Sequence, residues 1–169
     1  GVDPYLIAPT LILAIAQRLV QTLCPNSGEA IPVNGALKML LDKQFEDLPE
    51  QYLKRIPEFK DVYKATETPE CPNGTRGRTA VLEVLEIDDK VEQAILTDPT
   101  EDTIYQIARK NGMLSMKEDA IIKALDKVIP FEEVNTLGGT LMSEEGPEEY
   151  EQEVEKPTPA LQTQEIKSN

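Results

Sequence analysis

The sequence predicts a mixed α/β chain, mainly helical with a few strands. Three observations point there. Thr79–Ile87 alternates with apolar residues on both faces, as a strand does. Three segments after Asp88 carry helix start and stop signals. Two turn regions, Cys24-Pro25-Asn26-Ser27-Gly28 and Cys71–Arg78, break the first half into short pieces.

Taken in order, Asp3 is placed to cap a helix with Pro4 at its first position. The apolar run Leu6–Ala16 predicts that this helix continues to about Gln17 and is buried on most faces. The run is too short for a membrane span, which needs about 20 residues, and no basic segment precedes it as in a secretory signal. Leu19–Leu23 reads as a short strand. Residues 34–66 read as an insert of short helices, with apolar residues at 37, 40, 41 and 45 at helical spacing. Pro49 starts a further short helix, Pro57 ends it, and Val62–Ala65 reads as a strand. Thr79–Ile87 is expected to be a central strand, because both of its faces are mostly apolar.

Asp88 caps the next helix, with Val91, Ala94 and Ile95 facing inward. In Asp98-Pro99-Thr100-Glu101, Asp98 is the expected cap, and that helix should stop at Asn111-Gly112. Ser115-Met116-Lys117-Glu118 is a capping box. It opens a helix expected to run to Ile129 and end at Pro130. Phe131–Asn135 adds a turn.

Charge and composition narrow the function. The chain has 169 residues, with 17 Lys and Arg against 31 Asp and Glu, a net charge of −14, and no His. No Ser–His–Asp triad, Cys–His pair or His-ligated metal is therefore available. The net charge would repel a phosphate backbone, which argues against nucleic acid as a partner. None of the nine Gly is followed by Lys, so there is no P-loop. The pairs Asp88-Asp89, Glu118-Asp119, Glu132-Glu133 and Glu144-Glu145 mostly fall at helix starts, where acids complement the dipole. Asn73-Gly74-Thr75 fits a glycosylation sequon and is read as coincidence. Residues 144–169 carry eight acids, two Lys and three Pro among few apolar residues, and are expected to be a disordered acidic tail.

Cys24 and Cys71 are each followed by Pro-Asn in a turn. A zinc knuckle uses two Cys-x-x-Cys pairs, because tetrahedral zinc takes four thiolate or imidazole ligands. Ser27 and Gly74 stand where the second thiols would be. The expectation is a degenerate site without zinc, held by packing or a hydrogen bond. Two Cys make no disulfide framework, and the chain is expected in a reducing cytosol.

Several short motifs, in order, resemble the type II secretion and type IV pilus assembly ATPases. They are Gly1–Ala8, Ala16–Val20, Leu23-Cys24-Pro25, Gly77–Leu85, Thr100–Ile104, Ala108–Met113, Lys117–Ala120 and Phe131–Val134. The resemblance implies the C-terminal part of a RecA-like ATPase domain. Residues 1–23 would end the RecA-like core, and 24–76 would be an inserted lobe with the degenerate Cys motif. Residues 77–143 would supply a strand and a C-terminal helical subdomain. In that family the four Cys of the lobe bind zinc, and Ala120 here stands where Gly is usual. The resemblance further implies a hexameric motor on the cytoplasmic side of the inner membrane, which works on a platform protein together with assembly regulators. ATP and magnesium belong to Walker and His-box motifs expected before Gly1. This chain alone is thus expected to need no cofactor and to be inactive. Arg18, Arg76 and Arg78 become candidates for subunit-interface or nucleotide-sensing contacts, since Arg is the usual stabiliser supplied in trans. The plainer role for each is pairing with a carboxylate. The alternative function is a non-catalytic module that docks a platform protein or regulator.

Overall fold

The computed structural model describes residues 3–137. The expected tail at 144–169 lies outside them.

The first element, α1 (Pro4–Ile7), is a single turn. Asp3 caps it by accepting from the Tyr5 amide at 3.0 Å. The helix does not run on to Gln17 as the sequence suggested. Thr10 Oγ1 donates back to Leu6 O at 2.6 Å and closes the turn around Pro9. From Leu13 the chain is a strand, β1 (Leu13–Leu23). A short apolar run serves a buried helix or a strand equally well, and pairing with a distant segment decides between them.

Two short strands, β2 (Glu29–Pro32) and β3 (Asp61–Lys64), pair antiparallel. Between them lie α2 (Gly35–Gln44) and the one-turn α3 (Glu50–Leu53). The long strand β4 (Thr75–Glu86) pairs antiparallel with β1, from Leu13↔Glu86 to Leu23↔Thr75, with an irregularity between Gln21 and Leu23. Thus β4 is one half of a two-stranded ribbon and not the central strand expected. Its apolar second face has no layer over it among the described residues.

The helices follow as α4 (Asp89–Thr97), α5 (Glu101–Lys110), α6 (Met116–Leu125) and α7 (Glu132–Asn135). Asp88 accepts from the Lys90 and Val91 amides. The capping box is present, with Ser115 Oγ accepting from Glu118 N and Glu118 accepting from Ser115 N. The α5 cap is Thr100, not Asp98. Pro99 lies outside the helix, and Asp98 accepts from the Thr103 hydroxyl at 2.8 Å.

Helix α6 stops four residues earlier than expected. Lys127 adopts φ +59, its N–H donates to Ala124 O at 3.2 Å, and Val128 N–H donates to Lys123 O at 2.8 Å. This is the two-bond Schellman ending, made with a lysine in the position glycine usually takes. The Lys127 ammonium lies 4.8 Å from the centre of the Tyr63 ring.

An apolar core joins the ribbon, α2, β3, α6 and α7. Leu37, Leu41 and Phe45 of α2, Val62 of β3, Ile121 and Ala124 of α6 and Val134 of α7 are buried together with Val20 and Val81 of the ribbon. Residues of the 24–76 segment therefore share one interior with the helices after residue 115. Polar ties reinforce the packing: Leu23 N donates to Val128 O at 3.0 Å, and Phe131 N to Tyr63 O at 2.8 Å.

Candidate functional site

The β1–β4 ribbon carries all three arginines singled out from sequence. Side chains in an antiparallel pair alternate between faces, and residues opposite one another share a face. Leu13, Ile15, Gln17, Leu19 and Gln21 thus lie with Glu86, Val84, Leu82, Ala80 and Arg78 on one face. Val20 and Val81 lie on the other face, in the core. On the outward face Leu13 is 44%, Ile15 58% and Leu19 61% exposed, and Leu82 and Val84 are also open to solvent. Arg78 stands at one end of this apolar stripe and Glu86 at the other. A groove of about 190 Å³ continues the stripe from Leu13, Val84 and Glu86 onto the end of α5 at Ala108, Asn111 and Met113.

The three arginines are not brought together. Arg18 is on the inward face, opposite Val81, and its Nη1 donates to Thr136 O at 3.2 Å. It thereby caps the carbonyl end of α7, where a cation is favourable. Arg78, on the outward face, makes no ion pair among the described residues. Arg76 is exposed at the ribbon's base, where its carbonyl accepts from Thr22 Oγ1 at 2.5 Å.

The neck of the 24–76 segment is also at this base. Cys24 follows β1 directly and Cys71 precedes β4, and the two are joined by a disulfide with Cα atoms 6.6 Å apart. This corrects the expectation of two separate thiols. In the sequence each cysteine belongs to its own turn, and only the antiparallel pairing of β1 with β4 brings the turns face to face. The turns match: Ser27 N donates to Cys24 O, and Gly74 N to Cys71 O, both at 3.0 Å. Ser27 is buried, its hydroxyl proton lying between Thr66 O at 2.8 Å and Gly74 O at 3.0 Å. Gly74 has φ +68, and a Cβ there would stand 2.6 Å from Thr66 O. The residues do not fit a zinc ion. Both sulfurs are used by each other, the one nearby hydroxyl is engaged with carbonyls, and no cluster of three His, Cys, Asp or Glu exists among the described residues.

Sequence reading missed one buried polar centre. Arg109 of α5 and Glu118 of α6 are each only 2% exposed. The guanidinium donates to Glu118 at 2.9 and 2.5 Å, to Asp47 at 2.8 and 2.6 Å, and to Met113 O at 2.7 Å. Burial pulls its pKa down, but hydrogen bonds to Glu118 and Asp47 outweigh that and hold it above the usual value. The signal available was the capping-box glutamate beside an arginine on an otherwise amphipathic helix. The acidic pairs take structural roles too: Asp119 accepts from Leu82 N at 2.8 Å and pairs with Lys123, and Glu133 accepts from Gln21 N at 3.1 Å. These carboxylates cover amide groups of the ribbon that would otherwise be left open.

The outcome is a scaffold with an apolar ribbon face and no assembled nucleophile, base or phosphate cradle among its described residues. Such a site suits packing against another protein surface.

Comparison with known proteins gives the family. The family described as "Type II/IV secretion system protein" matches residues 1–136, and the chain belongs to it. The type II secretion system ATPase E of Vibrio cholerae is 31% identical over 135 residues, covering 79% of this chain and 24% of that protein. The type IV pilus assembly ATPase PilB of Thermus thermophilus is 32% identical over 136 residues, covering 79% of this chain and 14% of that protein. A type II secretion system protein E of Xanthomonas campestris is 31% identical over 136 residues, 79% of this chain and 22% of that one. The chain thus spans a quarter or less of the length of these relatives. No helix among the described residues is long and apolar enough to cross a membrane.

Proposed function

We propose that this chain is the C-terminal portion of a hexameric ATPase motor that powers type II secretion or type IV pilus assembly. It contributes subunit packing and coupling, and nucleotide chemistry resides elsewhere in the motor. The observation that carries this reading is the outward ribbon face. Five large apolar side chains on one face of a two-stranded ribbon form a surface that a lone soluble domain rarely leaves open. We assign its cover to the remainder of the ATPase domain, which holds ATP and magnesium. Arg78, at the edge of that face, then supplies a guanidinium to a carboxylate or phosphate across the contact. Arg18 holds α7 to the ribbon, and Arg76 marks the base. The motor works in the cytoplasm against an inner-membrane platform protein and its regulators.

The test uses Ile15→Lys and Leu82→Lys, separately and together. Both side chains are exposed, so the isolated chain should keep its melting temperature, with changes within about 0.5 kcal/mol. The same changes in the full-length motor should cut hexamer formation and ATPase activity. Full-length variants that assemble and hydrolyse ATP like the parent would overturn the reading. ATPase activity in the isolated 169-residue chain, free of contaminants, would overturn it as well.

A further inference from the structure

We infer that Cys24 and Cys71 form a redox couple that clasps the base of the ribbon in place of a metal. The resemblance implies a zinc site built on two knuckle turns, and two turns of that form are present here, each with its backbone bond from the fourth residue to the first. What differs is the chemistry between them. In one turn the fourth position is Ser27, whose hydroxyl binds the Thr66 and Gly74 carbonyls. In the other it is Gly74, packed so tightly on the Thr66 backbone that no side chain fits. A thiolate at position 74 would need the Thr66 segment to move. The place of the metal has been closed by backbone, and the two remaining sulfurs bond to each other.

The position of the couple gives it reach. Cys24 N donates to Gly74 O at 3.0 Å, and Cys71 forms a two-bond bridge with Thr68. The disulfide thus fixes the ends of β1 and β4 where their register is irregular, beside Arg76 and Arg78. Oxidation removes two protons and two electrons from the thiols. A low-molecular-weight disulfide supplies the acceptor, is itself reduced to two thiols, and leaves the Cys24–Cys71 bond. A dithiol reverses the step through a mixed disulfide. Cys71 Sγ lies 3.4 Å from Thr75 O in the disulfide-bonded form, an acceptor within reach of the thiol proton once the bond is reduced. The apolar core does not include the cysteines, so reduction should remove only the covalent tie at the neck.

The inference is tested on the 169-residue chain equilibrated in glutathione buffers. Alkylation under denaturing conditions followed by intact mass should show no free thiols at the oxidising end and two at the reducing end. Zinc should be absent from both forms after incubation with the ion and desalting. Hydrogen exchange of residues 21–28 and 66–78 should be about tenfold faster in the reduced form, with α5 and α6 unchanged. Two free thiols at the oxidising end, one equivalent of zinc on the reduced chain, or identical exchange in the two forms would each overturn the inference. A Ser27→Cys, Gly74→Cys double variant should still take up no zinc, because the Thr66 backbone blocks position 74. Stoichiometric zinc there would refute the claim that the site is closed.

Discussion

Replacing Glu118 by Ala should be strongly destabilising, although the residue is no part of the apolar core. The side chain is buried, accepts two bonds from Arg109 and accepts the Ser115 amide at 2.7 Å. Its removal leaves the guanidinium with Asp47, which is about half exposed, and removes one arm of the capping box. Breaking a buried pair by deleting one partner costs about 3–5 kcal/mol. Asp47 keeps part of the compensation, which puts the expected loss near the lower bound, about 3 kcal/mol. For a domain of this size that is about a 10 °C fall in melting temperature. Urea denaturation followed by circular dichroism would measure it, with an unchanged m-value as the sign of a two-state change. A cycle of Arg109→Leu, Glu118→Leu and the Arg109→Leu, Glu118→Leu double variant isolates the pair. The double variant should be more stable than the two single changes together imply, by about 2 kcal/mol, because neither charge is then stranded. A Glu118→Ala cost below about 1 kcal/mol, or additivity in the cycle, would refute the buried-pair account.

Other outcomes follow from single contacts. Gly112 sits at φ +89 with a built Cβ only 2.5 Å from the Tyr52 ring, so Gly112→Ala should cost about 2–4 kcal/mol in thermal melts. Adding Tyr52→Ala should recover less than it would at a purely steric clash, because the backbone cost remains. Asp88→Ala should cost about 1 kcal/mol through loss of the α4 cap. Bonding from the Val91 amide holds the Asp88 carboxyl below its ordinary 3.8. Its contribution is therefore complete above the unfolded-state value and lost as the pH falls through the folded one, and a melt series from pH 5 to about 2 should show the variant converging on the parent. Arg18→Ala should lower the stability of the isolated chain by about 0.5–1 kcal/mol, since Thr136 O loses its donor. Arg78→Ala should leave that stability unchanged, and both should lower ATPase activity in the full-length motor.

What could be read from the sequence was mostly local. The Asp88 cap, the Ser115/Glu118 box and the stop at Asn111-Gly112 each depend on residues within a few positions of one another, and the chain carries them in plain order. The α2 core face, with Leu37, Leu41 and Phe45 buried, was likewise evident from its spacing. Features that depend on distant partners were hidden. The Leu6–Ala16 run gave no hint that Leu13 would pair with Glu86, more than seventy positions away. The apolar second face of β4 suggests a central strand, whereas β4 pairs with β1 alone among the described residues. Arg109 looked like one cation of an amphipathic helix, and nothing local linked it to Asp47. The cysteines look like two half-sites in the sequence because their meeting depends on ribbon register.

The shared interior has a mechanical consequence. Val20 and Val81 back the outward ribbon face directly, and they touch the same core that holds Phe45, Ile121 and Val134. Close-packed interiors are stiff and transmit displacement rather than absorb it. A push delivered to Leu19 or Leu82 would therefore arrive at the lobe and at α7 with little loss. The ribbon, α2, β3, α6 and α7 thus form one mechanically continuous block.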